Sequence, residues 1–366
     1  MNKPLIAAIG FRGFPGVQGG VEMHCGNLYP AMKGSVKIRA YRRKQYLTDA
    51  SGKVYSDIEF IDLPSSQISG VEAVFHTFIC CLHIIFNRPD IVHVHNIGPG
   101  MFIPLLKLMG LKTVMTYHSA NYEHEKWGHI ARKMLKFSEF LSLRFADCII
   151  FVNKFQMQKY SVKIQAKSCY IPNGVNLIKR SENTDYIDKI GAESGNYLLA
   201  VGRLTAEKGF EYLVEAVNRI PEVKCLVIAG ASDHKTDYYD KLKALDTNKK
   251  VIFTGFTTGE DLRQLYSHAQ LFVLSSVTEG FPLVMLEAMG YGLPMIVTEL
   301  PATHLVELPV EDYVAKGDVA SIVAGIKAKT KNPCSKVEYD LSPYNWDKIA
   351  EQTVEVYRKC LKTDKH

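Results

Sequence analysis

The sequence predicts two doubly wound α/β domains in series, and three observations carry that expectation. Short, strongly apolar runs alternate with helix-period stretches along nearly the whole chain; such runs suit strands buried on both faces, with the intervening helices as the crossovers that parallel strands need. The length of 366 residues exceeds what one core ordinarily serves and points to two domains of roughly 150 to 200 residues. Near the middle, Pro172-Asn173-Gly174 makes a turn and the following dozen residues are polar and without period, which sets the expected domains at 1–175 and 176–366.

The expected strands can be taken in order. In the first half they are residues 4–9, 36–41, 58–63, 91–95, 112–118 and 148–152; in the second, 197–202, 225–230, 251–256, 271–276 and 294–299. The closing stretch "PYNWDKIAEQTVEVYRKCLK" reads as an amphipathic helix over about 344–362, whose Trp346, Ile349, Val354, Val356 and Tyr357 need cover. It either closes the second domain or crosses back to pack on the first. Open α/β sheets bind ligands at the carboxyl ends of their strands, so two facing edges would put the site in a cleft between the domains.

Composition narrows the class. Hydrophobic residues make up 47% and charged residues 22%, as in a globular protein, and nothing calls for a nucleic acid. The apolar run at residues 4–9 is too short for a signal peptide or a membrane span, so a cytoplasmic location is expected. None of the eight cysteines forms a C-x-x-C pair, and they read as reduced core residues. The net charge of +6 is unevenly shared: residues 1–175 hold 21 Lys/Arg against 11 Asp/Glu, or +10, and the remainder 23 against 27, or −4. The two halves should therefore meet different partners.

The first expected strand runs into "GFRGFPGVQGGVE", residues 10–22. A strand feeding a glycine-rich loop often cradles a phosphate, but a dinucleotide fingerprint needs G-x-G-x-x-G and an acid at the end of the next strand. Here the glycine spacing differs, Pro15 interrupts it, and the second strand ends in Tyr41-Arg42-Arg43. An NADP-dependent oxidoreductase, with arginines on a 2′-phosphate, is the remote reading of this loop.

Stronger signals lie downstream. In "SSVTEGFPLVMLEAMGYGLPMIVTE", Glu279 ends a loop after a strand and Gly280-Phe281-Pro282 opens a helix. Glu287 follows eight positions after Glu279 within an apolar stretch, where an unpaired carboxylate would be costly. The backbone of residues 280–283, with its N–H groups at 280, 281 and 283, is placed to meet a hydroxyl or phosphate. In "VGRLTAEKGFEYLVEA", Arg203 and Lys208 flank a strand-to-helix turn, a natural clamp for a diphosphate.

Together, "EGFPLVMLEAMGYGLPMI" with its Glu-x7-Glu spacing, "GRLTAEKG", "IPNGV", the Gly19-Gly20-x-Glu22 element and "YNWDKIAEQTVEVYRK" resemble the retaining glycosyltransferases of family four, in order over nearly the whole chain. The resemblance implies the GT-B fold, two Rossmann-like domains facing each other across a cleft. It also implies a role for each matched position. Arg203 and Lys208 would bind the diphosphate of a nucleotide sugar, Glu287 the ribose, and Glu279 with the backbone of Gly280, Phe281, Pro282 and Leu283 the donor sugar. Gly19 and Gly20 would let the backbone approach diphosphate and acceptor, and His118 would lie beside the reacting sugar. The implied donor is a UDP-, dTDP- or GDP-linked sugar acting as co-substrate, with no other cofactor.

The chemistry agrees with those roles. Breaking a glycosyl-diphosphate bond builds negative charge on the leaving group, so the site must chiefly stabilise that charge. The sequence holds no Asp-x-Asp, so the cation load falls on Arg203 and Lys208 and no metal is expected. "HEKWGH" (His124, Glu125, His129) is one residue too long for the zinc motif H-E-x-x-H, and His93 and His95, on one face of a strand, read as architectural or acceptor-side residues.

The first half, with its excess of positive charge, is expected to handle the acceptor. Its basic clusters at Arg42-Arg43-Lys44 and along Lys126, Arg132, Lys133, Lys136 and Arg144, beside the apolar stretches 71–86 and 98–110, suggest two buried helices under a solvated face, or peripheral contact with the anionic inner face of a membrane and a lipid-linked saccharide acceptor. "GFRGFPGVQGGVE" and "EHEKWGHIARKMLKFSEFLSLRFAD" further resemble a bacterial subgroup containing rhamnosyltransferases of polysaccharide assembly. "YHSANYEHEKWG" stands where that subgroup has an Asp-Gly-hydrophobic-Glu-Trp pattern. The expectation is therefore surface polysaccharide, O-antigen or capsule synthesis without a named sugar. A nucleotide-sugar epimerase or hydrolase of the same fold is the nearest alternative.

Overall fold

The computed structural model describes residues 3–47, 52–66, 68, 71–120, 122, 128–176, 178–232, 237–331 and 336–362. The chain divides into two units, residues 1–174 with 343–366, and residues 175–342.

The first unit holds a seven-stranded sheet of order β3-β2-β1-β4-β5-β6-β7. Its strands are β1 (Leu5–Ile9), β2 (Lys37–Arg43), β3 (Ile58–Leu63), β4 (Ile91–His95), β5 (Lys112–Tyr117), β6 (Cys148–Phe151) and β7 (Ser168–Tyr170). Every neighbouring pair is parallel. Residues 6–9 of β1 are fully buried, because helices cover both faces of a central parallel strand. The order reverses between β1, which pairs with β2 on one side, and β4 on the other. This switch point opens a crevice beyond the carboxyl ends of those two strands.

The second unit repeats the scheme with β8 (Leu198–Val201), β9 (Leu226–Ala229), β10 (Val251–Gly255), β11 (Leu271–Leu274), β12 (Met295–Thr298) and β13 (Tyr313–Val314). Their order is β10-β9-β8-β11-β12-β13, again all parallel. Its switch point lies between β8 and β11. All eleven expected strands are present, and β7 and β13 are additional.

The C-terminal helix, Trp346–Lys362, starts where the Asn345 side chain accepts from the Asp347 amide at 2.7 Å. It buries Trp346, Ile349, Ala350, Thr353, Val354, Val356, Tyr357 and Cys360, one stripe at helical spacing. That stripe packs on the helix Gly20–Ala31 and on β5, so the helix belongs to the first unit. The expected second domain of 176–366 is corrected accordingly: it ends at Ser342, because the apolar stripe is covered by first-unit elements. Gly174 lies under the Trp346 indole, where a Cβ would be 2.5 Å from the ring.

Two further expectations are corrected. Arg42 and Arg43 are buried and paired rather than presented as a basic patch. Arg42 grips Asp62 with two bonds of 2.7 and 2.9 Å and lies over the Phe60 ring, and Arg43 meets Glu72 at 2.8 Å. The same pairings remove both arginines from any 2′-phosphate, which takes away the basis of the oxidoreductase reading. The stretches 71–86 and 98–110, in turn, are only partly buried: Phe75, Phe78, Leu82, Ile85, Phe86, Leu105 and Leu108 are exposed. No described helix is long and apolar enough to cross a membrane, and the seven cysteines among the described residues are free thiols.

Candidate functional site

In the second unit, the loops that leave β8 and β11 meet at the switch point. The β8 loop passes Gly202 and Arg203, makes one 3-10 turn at Ala206–Lys208, and enters the helix Phe210–Asn218 through Gly209 in the left-handed region at φ 59°. Only glycine fits there, since a Cβ would collide with the Ser275 carbonyl of the β11 loop. The loops are also tied by hydrogen bonds, Val277 amide to Glu207 carbonyl at 2.9 Å and Ser275 hydroxyl to Lys208 carbonyl at 2.9 Å.

This packing brings Lys208 to Glu279. The Lys208 ammonium donates to Glu279 Oε1 at 2.5 Å, and the Ser276 hydroxyl donates to the same oxygen at 2.7 Å. Arg203 lies on the same loop and pairs with Glu207 at 3.6 Å. Both Lys208 and Glu279 are largely shielded, with side-chain exposures of 17% and 11%, so their attraction is stronger than that of a surface pair. The helix Leu283–Gly290 starts at Pro282 with no side-chain cap, leaving its first amides without a partner from a capping side chain. Gly280 is half-buried, Phe281, Pro282 and Leu283 are buried, and all four lie on the approach to that helix.

Glu287 lies one turn further along, and the Tyr266 hydroxyl donates to its Oε2 at 2.7 Å. Burial pushes the Glu287 carboxyl up to about 7, with the Tyr266 bond pulling the other way. Arg203, Lys208, Glu279 and the 280–283 segment thus gather at one switch point, with Glu287 behind them on the helix. Ser276 and Tyr266 belong to this arrangement and were not singled out from sequence. Ser276 stands three residues before Glu279 in the quoted motif, whereas nothing local marks Tyr266.

The first unit's switch point has a different character. Gly19 sits at φ 145°, and a Cβ there would collide with the Glu22 carboxylate, which turns back to accept from the Arg12 amide at 3.0 Å. Gly20 faces open space. Gly10, at φ 98°, lies against the His95 carbonyl where no side chain fits. The glycines therefore shape a loop pressed onto the end of β4, with Gly20 its uncrowded position.

Beneath this loop lies a buried network. His118 follows β5, and its Nε2 is 3.0 Å from His95 Nδ1. His95 Nε2 meets the Tyr29 hydroxyl at 2.6 Å, and His93 meets the Tyr357 hydroxyl and Thr116 Oγ1, each at 2.7 Å. His24 Nδ1 lies 2.8 Å from Asn173 Oδ1. Burial keeps these imidazoles neutral: it lowers His93 to about 3 and His24 to about 4, and drives His95 and His118 well below the usual histidine range. His24, Tyr29 and Tyr357 were missed from sequence, although His24 stands two residues after the Glu22 of the glycine motif. Of "HEKWGH", only Gly128 and His129 lie within the described residues.

Comparison with known proteins places both units. The family described as Glycosyltransferase Family 4 matches residues 18–179, and that described as Glycosyl transferases group 1 matches residues 195–332. An uncharacterized glycosyltransferase of Methanocaldococcus jannaschii is 34% identical over 212 residues, 52% of this chain and 54% of that protein. The chain spans about half or less of the length of the first curated relatives it matches. Among solved structures, sucrose-phosphate synthase of Thermosynechococcus elongatus superposes with a TM-score of 0.83 at 20% identity, covering 99% of this chain and 100% of that one. Anabaena HepE in complex with UDP-glucose superposes with a TM-score of 0.73 at 18% identity, covering 98% and 99%. One glycosyltransferase family description thus falls on each unit, and the fold shared over the full length is the GT-B arrangement of two parallel-sheet, Rossmann-like units.

Proposed function

We propose that the chain is a retaining, metal-independent glycosyltransferase that moves a sugar from a nucleoside-diphosphate sugar to a lipid-linked saccharide or related acceptor of surface polysaccharide synthesis. The observation that carries this reading is the meeting of Lys208, Arg203 and Glu279 at the second unit's switch point, beside the start of the helix Leu283–Gly290. Two cations and a helix N-terminus suit a diphosphate, and a carboxylate held by lysine and serine suits sugar hydroxyls.

The proposed reaction uses those groups. The bond from sugar C1 to the diphosphate oxygen breaks, Lys208 and Arg203 take up the developing charge, and an acceptor hydroxyl bonds to C1 on the face the diphosphate leaves. The acceptor's proton passes to a phosphate oxygen, so a strong general acid is unnecessary. Preorganised donors aimed at developing charge supply the largest share of such rate enhancements. Glu287 accepts from the ribose hydroxyls, and neutral His118 meets the reacting sugar.

The acceptor's lipid character is supported by the first unit's surface. On the helix His129–Phe145, Ile130, Met134, Phe137 and Phe140 are exposed along one stripe, interleaved with Arg132, Lys133, Lys136 and Arg144. Apolar residues among cations suit an interface rich in anionic lipid, where each cation contributes about 1 kcal/mol.

One experiment tests the whole reading. Labelled UDP-, dTDP- and GDP-sugars are incubated with the full chain and a lipid diphosphate acceptor in anionic vesicles, across a salt series and with excess chelator. Nucleotide release that requires acceptor, persists in chelator and falls as salt rises is the expected result. Release without acceptor indicates hydrolysis; loss of activity in chelator, restored by magnesium, overturns metal independence; salt-insensitive transfer overturns the membrane contact.

A further inference from the structure

The first unit gathers more imidazole at its switch point than sugar transfer needs. His24 comes from the helix Gly20–Ala31, His95 from the end of β4 and His118 from just beyond β5. One nitrogen of each lies within 4.8 Å of the others, and all three side chains are buried. The outer nitrogens of two of them are held by oxygen. His24 Nδ1 faces the Asn173 amide oxygen and is therefore its N–H donor, and His95 Nε2 meets the Tyr29 hydroxyl. That tautomer leaves His24 Nε2 a bare lone pair, buried and without a hydrogen-bond partner. An unsatisfied buried acceptor of this kind needs an explanation, and an ion is one.

We propose that His24, His95 and His118 form a three-imidazole site for one divalent transition-metal ion, zinc in the first instance, with the fourth position open. Zinc–nitrogen bonds of about 2.0–2.1 Å at tetrahedral angles put ligand nitrogens about 3.4 Å apart. The His95 and His118 nitrogens stand at 3.0 Å already, and with the three nitrogens within 4.8 Å of one another His24 must close on them by up to about 1.4 Å. Oxygen partners on the outer nitrogens are what orient imidazole ligands in metal sites. Binding releases no net proton: if His118 carries its hydrogen on Nε2, it moves to Nδ1 as that nitrogen turns to the ion. Neutral nitrogen ligands select zinc, copper, nickel or cobalt over magnesium, so this ion is distinct from any counter-ion of the diphosphate. Bound there, it would occupy the His118 nitrogen and withdraw it from substrate.

Cobalt(II) is the probe. The full chain, stripped with chelator, is titrated with cobalt and followed by its visible absorption, which is strong only in low-coordinate sites; zinc is then added in competition. The expected result is one equivalent of cobalt with a low-coordinate spectrum, displaced by zinc. His24→Ala and His118→Ala should weaken binding by a hundredfold or more. Asn173→Ala, which keeps all three imidazoles, should weaken it by about tenfold or more, and thus keeps the test open if a histidine variant unfolds. The exposed His129→Ala should leave binding unchanged. Absence of a low-coordinate spectrum, or equal binding by wild type, His24→Ala and Asn173→Ala, overturns the proposal.

Discussion

The two units share one topology and differ in what they put at the same place in it. At the β8/β11 switch point the loops and the helix that follows bring together Arg203, Lys208, Glu279 and Glu287; at the β1/β4 switch point β4, the residue after β5 and two helices bring together four neutral histidines and two tyrosines under a glycine loop. A doubly wound sheet supplies a crevice and leaves its chemistry to the loops. The charged crevice suits a ligand that brings charge, and the neutral one suits hydroxyl-bearing or apolar ligands, or an ion that prefers nitrogen.

Removing the central cation of the charged crevice should have the largest effect. Lys208→Ala takes away the partner of Glu279 and the group nearest the proposed leaving diphosphate, so turnover should fall by roughly 10²–10³-fold. Glu279→Ala should lower turnover while keeping more of the affinity for free nucleoside diphosphate, because Lys208 and Arg203 remain. Steady-state kinetics and calorimetry with UDP separate the two. Near-normal turnover in Lys208→Ala would remove that residue from the site.

Protonation offers a smaller lever on the same crevice. Burial raises the Glu287 carboxyl to about 7 from the usual 4.5. The folded protein thus keeps a proton that the unfolded chain has released between about pH 4.5 and 7, and this group's contribution to stability falls as pH rises through that window. In the role proposed for Glu287, ribose hydroxyls bind the ionised form. That form is about one in eleven of the population at pH 6 and about ten in eleven at pH 8, so nucleotide binding should tighten by about tenfold across those pH values. Glu287→Gln should flatten the dependence. A wild-type affinity that is already flat would move the ribose elsewhere.

The contrast between the units was partly legible in the sequence. The eleven expected strands are long enough for apolar pattern to show, whereas β7 and β13 have three and two residues and carry no pattern at all. Lys208 and Glu279 could be singled out because each stands beside a strand-to-helix turn with a recognisable spacing. The histidine network could not, because His24, His95, His118, Asn173 and Tyr357 come from five separate elements, and only folding makes them neighbours. Charge counting also misled at Arg42 and Arg43, since a count does not see that Asp62 and Glu72 lie across the strand and at the next helix.

The smallest expected effect probes the neutral crevice by its hydrogen bonds alone. Tyr357→Phe removes the hydroxyl that meets His93 Nδ1 at 2.7 Å, leaving that nitrogen with the Tyr29 hydroxyl at 3.3 Å. Ring packing is kept, so the loss is that of one buried hydrogen bond, about 1–2 kcal/mol. Both tryptophans of the chain, Trp127 and Trp346, belong to the first unit, so the urea midpoint read by tryptophan fluorescence reports that unit. It should fall by the corresponding amount with unchanged slope, while UDP affinity, which the proposed function assigns to the charged crevice, should stay the same. A fall in UDP affinity equal to that of Lys208→Ala would mean that the two crevices do not divide the chemistry as their residues suggest.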